Sequence, residues 1–161
     1  MSASVPIIFS PSIEPQRLSI PARGMVFALA LLLMGVLILA HSLRPSPSGV
    51  ETHMQMGFQR CEFLARTHLP CPTCGMTTSF SYFAHGNLIA SFFVQPMGFL
   101  LALAFGAGFW ACLFMAITAA PLHNLLRQVR MVRFIVLVMG FAIDAWGWKI
   151  LIHLNGWDGW R

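Results

Sequence analysis

The sequence predicts an all-α integral membrane protein with three transmembrane helices and a cysteine-containing loop between the first and second. Three observations carry that expectation. Of 161 residues, 57% are hydrophobic and only 9% charged, against about one quarter charged in an ordinary globular domain. The apolar residues stand in three long blocks rather than at core-forming intervals, so lipid is the solvent that would receive them. Prolines, arginines and tryptophans punctuate those blocks where helices would enter or leave a bilayer.

Residues 1–24 hold Pro6, Pro11, Pro15 and Pro21 among serines, which precludes a continuous helix and predicts an irregular tail. The first span is expected over Met25–Leu43, which as a helix would be about 28 Å long, close to the hydrocarbon thickness. A cleaved signal peptide is the competing reading of an apolar run behind Arg17 and Arg23. The long stretch before the run, and the RPSPSG exit with no clean cleavage site, favour a retained helix.

The second span is expected over Met97–Ala120, framed by Pro96 and Pro121 and free of charge. Its small residues, Gly98, Ala102, Gly106, Ala107, Gly108 and Ala111, recur at near-helical spacing and would let another helix approach closely. Cys112, within it, is expected to be a buried, inert thiol. The third span, Phe134–Leu154, carries Trp146 and Trp148, with Trp157 and Trp160 beyond it, as expected of an aromatic belt at an interface. Asp144 is a functional candidate because a charge at mid-membrane costs about 3 kcal/mol or more; the alternative is a pair within the bundle. Lys149 is expected to snorkel outward. Residues 25–154 then form one membrane domain and residues 155–161 a C-terminal tail.

The 44–95 connection is more than a loop. Gly86 suits a helix terminator and Asn87 an N-cap, which predicts two short helices, Met76–His85 and Leu88–Val94, lying in the interface or re-entering it. Orientation follows from Arg127, Arg130 and Arg133, which mark the connection between the second and third spans as cytoplasmic. The N-terminus would share that side, and the cysteines and the C-terminus would face outward. The net charge of +5 comes from scattered residues without aromatic interleaving, so nucleic acid is not an expected partner. The expected partners are the lipid bilayer and other membrane proteins or a second copy of the chain.

The loop reads RCEFLARTHLPCPTCGMTTSF and places Cys61, Cys71 and Cys74 in a C-x9-C-x2-C pattern. A CxxC pair can meet around a tight turn, here stiffened by Pro72 and released by Gly75. Cys71 and Cys74 are therefore candidate redox residues: at the start of a helix, unpaired amides and the helix dipole stabilise a thiolate, so Cys71 would attack and Cys74 resolve. Cys61 would be a third, exchanging thiol. A zinc site is the alternative, with Cys61, Cys71 and Cys74 as ligands and His68, His85 or His53 as the fourth. A copper variant adds His53, Met54 and Met56, and a structural disulfide with one thiol left over also remains open. No acid, base and nucleophile constellation is evident, which weighs against an enzyme and towards a redox accessory or a scaffold subunit. No cofactor is certain, and zinc is the possible one.

The stretch from Met25 to Ala120 resembles the prokaryotic membrane proteins grouped as domain of unknown function 2752. Their pattern is a cysteine, a Thr-Gly-like turn, CPxCGxTR, a Gly-Asp-like turn, and Asn-Pro before a spanning helix. Cys61, Thr67, Pro70, Cys71, Pro72, Cys74, Gly75, Thr77, Gly86 and Pro96 fall on those positions. Thr78 replaces the motif arginine, Asn87 the acid, and Gln95 the asparagine. The resemblance implies a bacterial cytoplasmic (inner) membrane location and a role for Gly75 and Thr77 in the cysteine motif; it implies no activity.

Overall fold

The computed structural model describes residues 17–120 and 131–160. Arg127 and Arg130, on which the orientation argument partly rests, lie outside the described residues, as does the N-terminal tail before Arg17.

Among the described residues, three helices are long and apolar enough to cross a membrane. The first, α1, runs from Ile20 to Ser42 and so begins five residues before the apolar block does. Pro21 is the reason: in the first turn its missing N–H has no intrahelical acceptor to lose, and its fixed φ favours the helix. Tail residues 20–24 are therefore helical rather than irregular. The second long helix, α5, covers Pro96–Thr118 and ends on Ala119 in the left-handed conformation.

Among the described helices, α1 and α5 pack along each other most extensively. Arg23 closes one end, its Nε donating to the Ala116 carbonyl at 2.9 Å, while the Leu18 amide bonds the Ala119 carbonyl. The expected close approach at small residues is present at two of them. A Cβ on Gly108 would lie 3.2 Å from Leu33, and one on Gly98 only 2.8 Å from the Ser79 side chain. The core of this layer is Ala40, Phe80 and Ala102, with Phe80 edge-on to Phe105.

Between α1 and α5 come a 3-10 turn at Thr52–Met56 and three short helices, α2 (Glu62–Thr67), α3 (Met76–Ala84) and α4 (Leu88–Val94). Neither α3 nor α4 spans, since nine residues of helix reach only about 13 Å. They form a hairpin turned by Gly86 at φ +80° and capped by Asn87, whose Oδ1 accepts from the Ala90 amide at 3.0 Å. Asn87→Ala is expected to cost about 1 kcal/mol, read as a lower thermal midpoint in detergent, whereas Asn87→Asp should keep the cap and the midpoint.

The hairpin buries hydroxyls, and each finds a partner. Thr78 meets Thr52 at 2.7 Å, Ser79 Oγ donates to the Ser91 carbonyl at 2.8 Å, and Ser81 Oγ to the Leu43 carbonyl at 2.6 Å. Buried polar groups in such pairs avoid a penalty of about 1–3 kcal/mol each.

The last long helix, α6, covers Met131–Leu154, and its tryptophans hydrogen-bond to protein, where the sequence predicts an interface belt. Trp146 Nε1 donates to the Pro70 carbonyl at 3.0 Å and Trp148 Nε1 to the Phe93 carbonyl at 2.8 Å. The segment after α6 is packed rather than a free tail: Trp160 lies on the Tyr82, Ala90 and Val94 cluster. Glycines let two backbones interlock there. A Cβ on Gly49 would fall 1.8 Å from the Asp158 carbonyl oxygen, and one on Gly159 1.9 Å from that of Pro47.

Candidate functional site

Cys61 is the residue from which α2 starts. After six helical residues, His68 adopts a left-handed backbone (φ +58°) and turns the chain back, so that Pro70 and Cys71 return beside Cys61. The CPTC turn closes through the Cys74 amide donating to the Cys71 carbonyl at 3.0 Å. It ends on Gly75 at φ +86°, directly before α3. Glycine is required there twice over, since a Cβ would also stand 2.8 Å from the Gly49 carbonyl oxygen.

This folding brings three sulfurs together. Cys71 Sγ and Cys74 Sγ are 3.0 Å apart, Cys74 Sγ and Cys61 Sγ 3.5 Å apart, and all three lie within 4.8 Å of one another. All are free thiols, close enough to share a metal ion. Among the described residues, no histidine joins the group. His68 offers its backbone carbonyl to His153 Nε2 at 3.2 Å, His85 is stacked on His41, and His53 Nε2 meets the Gln59 carbonyl. Met54 and Met56 are exposed.

The two CxxC thiols are inequivalent. Cys71 is partly exposed and Cys74 buried. Burial pushes the Cys71 thiol up, but hydrogen bonds from Cys74, Thr73 and Cys61 to its sulfur outweigh burial and leave it below its ordinary value. Cys74 is pushed well above its ordinary value, first by burial and then by holding its proton against Cys71 and Cys61. A proton shared this way favours a thiolate at Cys71 and a thiol at Cys74.

Residues from distant elements hold the turn. Gln95, fully buried at the start of α5, donates from Nε2 to the Pro72 carbonyl at 3.0 Å. Its place just before Pro96 was visible in the sequence as a motif position, but its reach to Pro72 was not. Thr78, where the resembled motif has arginine, is wholly buried against Thr52, and that hydroxyl pair leaves the arginine's position filled by an uncharged contact. Thr77 faces elsewhere, lining an apolar cavity with Val36, Leu43 and Met56.

Lys149 differs most from expectation. Instead of snorkelling it is 0% exposed. Its Nζ donates to the Gly49 carbonyl at 3.3 Å and is ion-paired with Asp158 Oδ1 at 3.1 Å. A Cβ on Gly75 would lie 3.3 Å from the same Nζ, so the ammonium sits against the residue next to Cys74. Asp158 also pairs with His153. Asp144 is exposed, one turn beyond Phe141, and Phe141 shares a groove with Met97 in the first turn of α5. That shared groove sets Asp144 near the level of the start of α5, the end from which Gln95 reaches the cysteine turn.

No curated protein and no solved structure matches the chain. A family model does, over residues 61–109, a stretch that opens on Cys61 and includes the whole sulfur cluster, the α3–α4 hairpin and the first half of α5. That model, described as protein of unknown function (DUF2752), represents the same family that the CPTCG motif resembles.

Proposed function

We propose that the chain is a membrane-bound thiol–disulfide exchange protein whose working pair is Cys71 and Cys74. The observation that carries this is the inequivalence of two sulfurs 3.0 Å apart, one partly exposed and lowered, the other buried and raised. Exchange needs such a division. The Cys71 thiolate attacks one sulfur of a partner protein's disulfide, forming a mixed disulfide and releasing the second partner sulfur as a thiolate, which takes up a proton. Cys74 then loses its proton and attacks Cys71, expelling the remaining partner sulfur. The chain ends with a Cys71–Cys74 disulfide and the partner with two thiols, so two electrons have passed to the partner. Cys61, 3.5 Å from Cys74, is placed to accept the disulfide in turn.

Zinc bound by the three cysteines, as part of a non-enzymatic scaffold, is the second reading, favoured by their convergence within 4.8 Å. Two thiolates on one tetrahedral zinc stand about 3.8 Å apart, given Zn–S bonds of about 2.3 Å. The 3.0 Å approach of Cys71 to Cys74 is closer to a pair poised for bond formation. The site's location on the outer face of a bacterial cytoplasmic membrane is supported by the arginines: Arg17 and Arg23 belong to the end of α1 opposite the cysteines. An oxidising compartment would then supply partners carrying disulfides.

Alkylation trapping of the full chain in membranes tests the proposal. Across glutathione buffers from reducing to oxidising, Cys71 and Cys74 are expected to pass together from modified to protected. A pattern that never changes with poise, together with one zinc per chain lost in Cys71→Ser, would establish the scaffold reading instead.

A further inference from the structure

A lysine with no exposed surface is costly to keep, since the effective penalty for burying an ion is several kcal/mol. Lys149 recovers part of that cost from Asp158 at 3.1 Å and the Gly49 carbonyl at 3.3 Å. Anchoring α6 to the cysteine loop does not require a charge, because the neutral donors of Trp146 and Trp148 already bond Pro70 and Phe93. The position of the ammonium suggests its use. It lies against Gly75, the residue after Cys74, where a single added Cβ would be 3.3 Å from it. The acids of the loop are engaged elsewhere, Glu51 with Arg60 and Glu62 with Arg66.

We propose that Lys149, held in place by Asp158, is a positioning residue of the cysteine site that sets the reduction potential of the Cys71–Cys74 pair. The inference rests on the exchange reading above and assigns to it a residue from outside the matched stretch of 61–109. Reducing the disulfide places two electrons on the sulfurs and brings negative charge to the turn. A fixed positive charge beside the turn stabilises that reduced form, and a couple whose reduced form is stabilised is the more oxidising one. Asp158 opposes part of that field while fixing where the ammonium stands. The two residues of one ion pair therefore act on the potential with opposite signs.

The test uses the purified full chain in detergent, equilibrated in glutathione buffers, with the oxidised fraction of Cys71–Cys74 read by alkylation and mass spectrometry. Lys149→Met is expected to favour the disulfide at least tenfold, about 30 mV towards more negative potential. Asp158→Asn should move it severalfold the other way, and Lys149→Arg should stay within about twofold of the parent. Values within twofold for all three variants would overturn the inference, as would Lys149→Met and Asp158→Asn moving in the same direction, the mark of mere loosening. Should Lys149→Met fail to fold, Asp158→Asn and Lys149→Arg decide it. A parent pair that forms no disulfide at any poise refutes the exchange reading; the alkylation rate of the reduced protein, expected to fall tenfold in Lys149→Met, then still shows whether the ammonium acts on the thiols, and an unchanged rate overturns that too.

Discussion

Gly49→Ala is expected to destabilise the folded chain by about 3 kcal/mol and to release the segment that follows α6. Two separate effects add at this position. Gly49 has φ +71°, a conformation that costs an L side chain about 1–2 kcal/mol. The new methyl would also stand 1.8 Å from the Asp158 backbone carbonyl, and no rotation of a side chain relieves a clash between two backbones. Asp158 must therefore withdraw. With it goes the carboxylate that pairs with both Lys149 and His153, leaving a buried ammonium with one fewer partner. Gly57→Ala is the matched control: its φ is +87°, but nothing lies within 4 Å of the added carbon, so only the backbone cost of about 1–2 kcal/mol remains. Thermal unfolding in detergent gives the order, and chymotryptic cleavage at Trp157 and Trp160 should accelerate in Gly49→Ala and not in Gly57→Ala. Equal losses in the two variants would mean that the interlock of residues 47–49 with 158–159 contributes little.

What the sequence reveals here is what depends on solvent or on neighbours along the chain. The three long helices follow from apolar runs that only lipid can receive, and the α3–α4 hairpin from Gly86 and Asn87, whose backbone and capping preferences are local. The meeting of Cys71 and Cys74 follows from CxxC spacing around a turn. The start of α1 was hidden by Pro21, because proline breaks a helix interior yet suits its first turn. More was hidden where partners are backbone carbonyls of distant segments. In the sequence Trp146 and Trp148 point to an interface belt because an indole N–H needs one acceptor, and lipid headgroups or a carbonyl such as that of Pro70 serve equally well. The sequence points to a snorkelling Lys149 because its ion-pair partner, Asp158, falls in the C-terminal tail. The interlocked glycines let that segment come back over the loop, and a glycine in a sequence does not say which backbone it lets in.

Cys71→Ser and Cys74→Ser are expected to fail in different ways, and the difference identifies which sulfur meets the partner. Losing Cys71 removes the partly exposed thiol whose value lies below the ordinary one, so attack on a small disulfide reagent should fall at least a hundredfold, on the scale of a nucleophile replaced by a far weaker one. Losing Cys74 leaves the attack in place and removes the resolving step, so a mixed disulfide at Cys71 should accumulate and persist. The pH dependence has a definite sign. Because Cys71 is held below its ordinary value, its alkylation should continue as pH falls through the usual thiol range, where an unperturbed cysteine slows about tenfold per unit. Because Cys74 is held above its ordinary value, it should remain slow throughout that range. In Cys74→Ala the lowering of Cys71 should shrink, since that change removes one of the hydrogen bonds that lower it. Equal rates at the two positions would abolish this division, and a mixed disulfide that accumulates in Cys71→Ser and not in Cys74→Ser would reverse the roles. The lowered thiol would then be the resolving one, and attack would have to come from a sulfur that the fold keeps buried.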